Sequence, residues 1–245
     1  MRKTFLFFAM MMAVAVSAQT NKVVKPTPQT TSAKTTTDKI PADKTPEGVE
    51  AVDLGLPSGT LWASRNVGAA TDDRPGIYVA WGETTPNNSY SWTAYKFCKG
   101  KGDKLTKYNN DTSYGVIDKK HRLVSADDAA RTNWGGKWRM PTEKDVKELI
   151  AGTKFRAMTS ENGINGVLLT SKVNGNSIFL PAGGYRDEWA SEPAGSAGYY
   201  WTASVEASCA GDQAITIFMD ARTGCISTEY APRKRGLNVR PVMRK

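Results

Sequence analysis

The chain has 245 residues, a formal net charge of +9 and 40% hydrophobic residues. The one His and three Cys show no Cys/His zinc-ligand spacing and leave little material for an imidazole-based catalytic set. The length fits one domain of ordinary size with room for flanking segments.

In chain order, Arg2 and Lys3 precede an apolar stretch from Phe5 to Val16, and Val16-Ser17-Ala18 supplies small or compact residues for cleavage. Residues 1–18 are therefore predicted to be a secretory signal. The apolar stretch falls short of the roughly 20 residues that a spanning helix takes, and no second one follows, so no transmembrane segment is expected. No Cys stands just after the expected cut, so a lipid anchor there has no attachment atom. The mature chain is expected in the periplasm, at the outer surface or in the extracellular space. Residues 19–49 are rich in Thr, Lys and Pro and hold Val23, Val24 and Ile40 as almost their only large apolar residues. Such a segment buries too little surface to offset its ordering entropy, and a flexible tether is expected. Residues 50–245 then form a single domain with all seven Trp.

The charge shrinks on inspection. Loss of Arg2 and Lys3 leaves +7, and five tether Lys against Asp38, Asp43 and Glu47 account for another +2, so the domain carries +5. Arg233, Lys234, Arg235, Arg240, Arg244 and Lys245 crowd the C-terminus. An exported protein meets little nucleic acid, so none is expected as a partner. A basic patch facing anionic polysaccharide or lipid headgroups is the more natural reading.

Short strands bounded by Gly, Asn and Pro dominate the domain. Strands are predicted at Gly76–Trp81, Val167–Val173, Ser177–Leu180, Tyr199–Ser204, Ala214–Met219, Cys225–Tyr230 and Leu237–Met243. Asn174-Gly175 suits a tight hairpin turn, and Pro241 suggests an edge or a bulge. Two helices interrupt them. Ser125 is the expected cap of the first, with Asp128 three positions on, and Gly135-Gly136 its stop. Thr142 caps the second, with Asp145 at the matching position. Val146, Leu149 and Ile150 form its apolar face, and it should end near Gly152. The prediction is α+β: a twisted, mainly antiparallel sheet with two short helices and long irregular loops.

Six stretches stand in order: VDLGLPSGTLWASRNVGA (52–69), YVAWGETTP (78–86), DDAARTNWGGKWRMPT (127–142), NGNSIFLPAGGYRD (174–187), GYYWTASV (198–205) and NVRPV (238–242). Together they resemble the Fibrobacter succinogenes major paralogous domain, a family of exported proteins of Bacteroidetes and relatives. That family in turn is similar to the C-type-lectin-like and formylglycine-generating-enzyme-like fold group. The resemblance implies adjacent chain ends and a long, poorly regular loop region as the usual ligand face. It implies no particular activity, because fold alone does not carry function.

The candidate sites are few. Asp127 and Asp128 could pair for metal or acid–base work, but capping and the helix N-terminus already account for them. Sugar-binding C-type lectins hold calcium on a Glu-Pro-Asn type of loop and a Trp-Asn-Asp strand. Here Glu192-Pro193-Ala194 lacks the third oxygen, so no metal and no cofactor are expected. Formylglycine-generating enzymes need a close pair of Cys. With Cys225 opposite about Met219, Cys209 lies ten residues further on, roughly 30 Å at strand rise. No disulfide is expected, and all three Cys read as small buried apolar residues. His121, in a Lys-Lys-His-Arg loop, reads as a solvated surface side chain, and no catalytic residue is assigned. The loop Ala182–Tyr199 remains, with Tyr185, Arg186, Asp187, Trp189 and Glu192 as candidate ligand contacts. The competing reading packs Tyr185 and Trp189 beneath the loop and pairs Arg186 with Asp187. The other Trp at 62, 81, 134, 138 and 201 are expected in the core.

These residues point to a non-catalytic binding module, secreted or displayed at the surface, for a cell-surface glycan or protein. The rivals are a structural cell-envelope subunit and an enzyme of unknown type on the formylglycine-generating-enzyme-like fold.

Overall fold

Among the described residues, three small antiparallel sheets and two short α-helices make up a fold that is α+β and rich in sheet. The computed structural model describes residues 42–205 and 211–245. The expected signal and most of the expected tether lie outside the described residues. The first sheet joins β1 (Ala51–Asp53), β2 (Thr60–Ala63) and β9 (Val242–Arg244) in the order β1-β2-β9. The beginning and end of the domain are thereby hydrogen-bonded through one strand. The second sheet runs β3 (Thr153–Thr159), β4 (Asn165–Ser171), β5 (Ser177–Pro181). The third runs β6 (Ala197–Trp201), β7 (Gln213–Asp220), β8 (Ile226–Pro232).

β7 explains why its sequence reads as an almost unbroken apolar run. Its side chains alternate between two separate cores: Ile217 and Met219 face one, with Tyr200, Trp62, Leu149 and Leu169, while Ala214 faces the other, with Trp81, Trp134, Trp138 and Trp201. A strand buried on both faces loses the alternation of a half-buried one. The five Trp expected in the core, 62, 81, 134, 138 and 201, are all buried.

The second helix, here α2 (Glu143–Gly152), starts as expected. The Thr142 side chain accepts from Asp145 N, and Asp145 reaches back to Thr142 N at 2.7 Å. Val146 and Leu149 are buried and Ile150 is partly so. Asp145 is also gripped by Arg139 through two bonds of 2.7 and 3.0 Å. Burial by itself would raise this carboxyl, but the hydrogen bonds from Arg139 and Thr142 outweigh burial and hold it well below the usual carboxylate range. A depressed carboxyl stabilises the fold above its unfolded value, 3.8, and that contribution is lost as pH falls toward the lower folded value. Asp145→Asn should therefore cost roughly 2–3 kcal/mol at pH 7. It should also flatten the fall in melting temperature below about pH 4. Parallel acid limbs in the variant and the parent would show that Asp145 is not the responsible group.

The first helix departs from expectation. Ser125 opens a 3-10 turn, Ser125–Asp127, and the cap of α1 (Ala129–Trp134) is Asp128. The Asp128 carboxylate accepts from Arg131 N at 3.0 Å and from Met140 N at 2.9 Å. It therefore caps the helix and closes the corner beyond it, a demand from residue 140 that the local pattern at 125–128 does not contain. Gly135 and Gly136 both take positive φ, at 66° and 53°, as the predicted stop requires.

Two further expectations are revised. The β4–β5 hairpin forms, but not on a two-residue Asn-Gly turn. Four residues, Lys172–Gly175, lie between Ser171 and Asn176, whose backbones are bonded at 2.8 Å. Ser171 Oγ accepts from Val173 N and Asn174 N, and the Asn174 and Asn176 amides both donate to Asp53 O. Asn174 serves both: its Oδ1 accepts from Asn176 N at 3.0 Å within the turn, while its amide joins that of Asn176 in a tertiary contact. Gly76–Trp81 forms no ladder. It is an extended segment bridged at Val79 to Leu237. Strands β1, β2 and β3 arise where no strand was expected.

Candidate functional site

The segment Ala182–Tyr199 is tied down along most of its length. Gly184 bridges Gly198, Tyr185 bridges Glu192, and Arg186 exchanges two backbone hydrogen bonds of 2.9 Å with Gly236. The chain reverses between Asp187 and Ser191. There Ser191 Oγ accepts from Asp187 N at 3.0 Å and donates to Asp187 O at 2.9 Å.

Four of the five candidate contacts are held by neighbours. The Tyr185 ring meets Tyr199 edge-on at 5.2 Å, with Arg235 over it at 4.6 Å. Arg186 stacks on Tyr78 at 4.2 Å and does not pair with Asp187. Asp187 instead pairs with Lys234 and, at 2.7 Å, with Arg235. Burial works against its charge, but the bonds from Lys234 and Arg235 prevail and hold its carboxyl below the usual range. Glu192 Oε2 accepts from Tyr199 OH at 3.0 Å. Burial, and then this bond to a carboxylate, push the Tyr199 phenol up. Trp189 is different. It stands at the tip with 85% of its surface exposed, the most exposed large hydrophobic among the described residues. The reading that packed it beneath the loop does not hold, whereas Tyr185 does pack there.

Glu192 also lines an open groove of 680 Å³. Its floor includes Tyr199 and Phe218, cross-strand partners on β6 and β7 with ring centroids 5.3 Å apart. Met158 and Thr159 of β3 and Asn165 of β4 line it as well, with Asp220 and Arg222 from the β7–β8 turn. Asp220 is fixed by the amides of Thr223 and Arg222, which lower its carboxyl from the ordinary value. An aromatic floor with amide, carboxylate and guanidinium groups around it can stack on an apolar face and hydrogen-bond to hydroxyls at its rim. Tyr199 and Phe218 were not singled out by the sequence. Their alternation places each on one face of its strand, but only the pairing of Tyr199 with Phe218 brings the two rings together.

The remaining candidates resolve by position. Asp127 accepts from Tyr108 OH and pairs with Lys107 and with Lys96, a structural cluster. Burial pushes the Asp128 carboxyl up. The His121 ring lies 3.2 Å from the Asn110 amide. Among the described residues no three His, Cys, Asp or Glu side chains converge as a metal set, and no helix is long and apolar enough to cross a membrane. Cys225 is exposed rather than buried, because Met219 pairs with Ile226 and Cys225 falls into the turn. A one-residue shift of register moves a side chain to the other face. Cys98 is partly buried, its thiol donating to Trp92 O at 2.9 Å, and Cys209 lies outside the described residues.

The C-terminal basic run does not form a patch. Arg233 and Arg240 are buried, Lys234 and Arg235 are committed to Asp187, and Lys245 pairs with Asp53.

No family model, no curated protein and no solved structure matches the chain.

Proposed function

We propose that this is an exported, non-catalytic binding module whose contact face joins the Trp189 loop tip to the Tyr199–Phe218 groove, and whose ligand is a cell-surface glycan. The observation that carries this reading is the contrast within one loop. Tyr185, Arg186, Asp187 and Glu192 are locked by rings, cations and a phenol, while Trp189 is held out in solvent. A rigid base under one exposed indole keeps the ordering cost of binding low. Aromatic faces suit the C–H faces of sugars, and the polar groove rim suits their hydroxyls. The motif resemblance to the Fibrobacter succinogenes major paralogous domain, and through it to a C-type-lectin-like fold, supports the same reading. So does the signal-like start of the chain. A protein ligand at the cell surface is the second reading, favoured by the same exposed Trp.

The test is a glycan array, run beside an array of surface proteins, with the purified chain and its Trp189→Ala variant. Trp189→Ala should weaken binding roughly tenfold or more, as loss of a central aromatic anchor does. It should leave the melting temperature within about a degree, since an exposed side chain buries area only in the complex. Unchanged affinity in the variant, or its unfolding, would sink the assignment. Light scattering after size exclusion separates a monomeric binder from a self-associating envelope subunit.

A further inference from the structure

A second concave site lies on the far side of α2 from its apolar face. Ser58, Arg122, Arg139, Thr142, Lys144, Asp145, Glu148 and Arg244 enclose a pocket of 420 Å³, within the roughly 300–1,000 Å³ of small-molecule sites. Its four cations come from separate parts of the chain: the loop before α1, the corner before α2, α2 itself and β9. No run of basic residues in the sequence marks it.

The charges are unbalanced. Of the two carboxylates, Asp145 is occupied by Arg139, Thr142 and Thr60. Glu148 accepts from Ser58 N at 2.9 Å and from Ser58 Oγ. Arg139 is spent on Asp145. Among the described residues, Arg122, Lys144 and Arg244 form no ion pair at all. Arg122 has its guanidinium pushed below the ordinary value, first by burial and then by repulsion from Arg139 and Arg244, which outweigh the opposing pull of Asp128 and Asp145. Four cations against two carboxylates, both already hydrogen-bonded, leave a net repulsion that opposes folding. Their convergence on one concavity is what an anion would relieve.

We propose that this pocket binds a tetrahedral oxyanion, a phosphate or sulfate, free or as an ester on a small molecule. Arg122 and Arg244 supply planar donor forks from separate elements, and Lys144 supplies a point charge. Two forks and an ammonium suit the oxygens of a tetrahedral centre better than a planar carboxylate, which one fork saturates. The pocket exceeds a bare ion, which leaves room for an ester substituent. The site is separate from the Trp189 face and shares no residue with it.

Isothermal titration of the purified full chain with inorganic phosphate, sulfate and glucose 6-phosphate tests this, with ionic strength held constant by sodium chloride. Saturable binding of phosphate, with sulfate competing, is expected. Tighter binding of glucose 6-phosphate identifies an ester as the source, and equal binding identifies the free ion; both support an oxyanion site. Arg122→Gln and Arg244→Gln should each weaken binding by at least about tenfold, the scale of a lost charge-assisted hydrogen bond. Both residues reach the surface and removing either relieves repulsion, so the variants should melt at or slightly above the parent. Lys144→Gln, on the solvent side of α2, is the reserve variant. Arg222→Gln, in the other groove, should bind phosphate normally. Absence of saturable heat, or parental affinity in both arginine variants, overturns the proposal.

Discussion

Arg240→Ala should lower the stability of the domain by about 4 kcal/mol, seen as a large drop in the urea midpoint. Arg240 is fully buried, and no carboxylate of the described residues forms an ion pair with it. Its guanidinium instead donates to four neutral acceptors: Asn66 Oδ1 at 2.6 Å, Ala63 O at 2.9 Å, Ser64 O at 2.6 Å and Phe179 O at 2.7 Å. Those acceptors belong to the end of β2, the turn after it and β5, so one side chain ties the first sheet to the second. Burial pushes its pKa down to about 10, which leaves it charged at neutral pH. Removing it strands several buried oxygens at once, each worth about 1–3 kcal/mol when unsatisfied, with water entering the vacated space to recover part. Arg240→Lys keeps the charge, but a single ammonium cannot reach four acceptors in a plane, and only partial rescue is expected. A midpoint unchanged in Arg240→Ala would mean that this buried cation contributes nothing net.

Trp138→Ala is the second large effect, with an expected cost of about 3–5 kcal/mol for a buried indole. Trp138 is 3% exposed and meets Trp134 edge-on at 5.3 Å. Its indole N–H donates to Thr45 Oγ1 at 2.6 Å, and Lys44 N donates to Trp134 O at 2.6 Å. The Trp138 indole and the Trp134 carbonyl thus anchor the incoming chain at residues 44 and 45, upstream of the expected domain start at 50. The variant should therefore also become sensitive to trypsin at Lys44. Trp138→Phe preserves most of the area and loses one hydrogen bond, so a cost nearer 1 kcal/mol is expected. Parental stability in Trp138→Ala would place the ring outside the core. Resistance at Lys44 in an unstable variant would show that residues 44 and 45 dock without it.

Several elements were legible because their signals are local. Thr142 and Asp145 lie within one helical turn, and a capping box needs nothing beyond that turn. Gly135-Gly136 supplied the positive φ that stops α1. The five Trp sit in apolar strand and corner patterns, and all are buried. Misreadings arose where a distant residue claimed a local group. Asp128 became the cap because it also serves Met140. Asn174 and Asn176 were drawn to Asp53 O, and the turn widened to four residues. Cys225 moved to the surface because the β7–β8 register sits one residue from the expected one.

The candidate face divides in the same way. Composition marked Ala182–Tyr199 as a loop with unusual side chains but left open whether Trp189 packs beneath it or stands out at its tip. Which of those side chains remain available was decided by residues far along the chain: Lys234 and Arg235 claim Asp187, Tyr78 claims Arg186 and Tyr199 claims Glu192. Charge followed the same rule. The sequence by itself determined the α+β composition, the caps written within a turn and the apolar faces. Those depend on backbone sterics and on periodicity over a few residues. Only the tertiary structure decided that the basic C-terminal run is mostly buried or paired, and that Arg122, Lys144 and Arg244 are left together. Charge pairing is set by distances of a few ångströms in space, and sequence separation carries no information about those distances until the strands have paired.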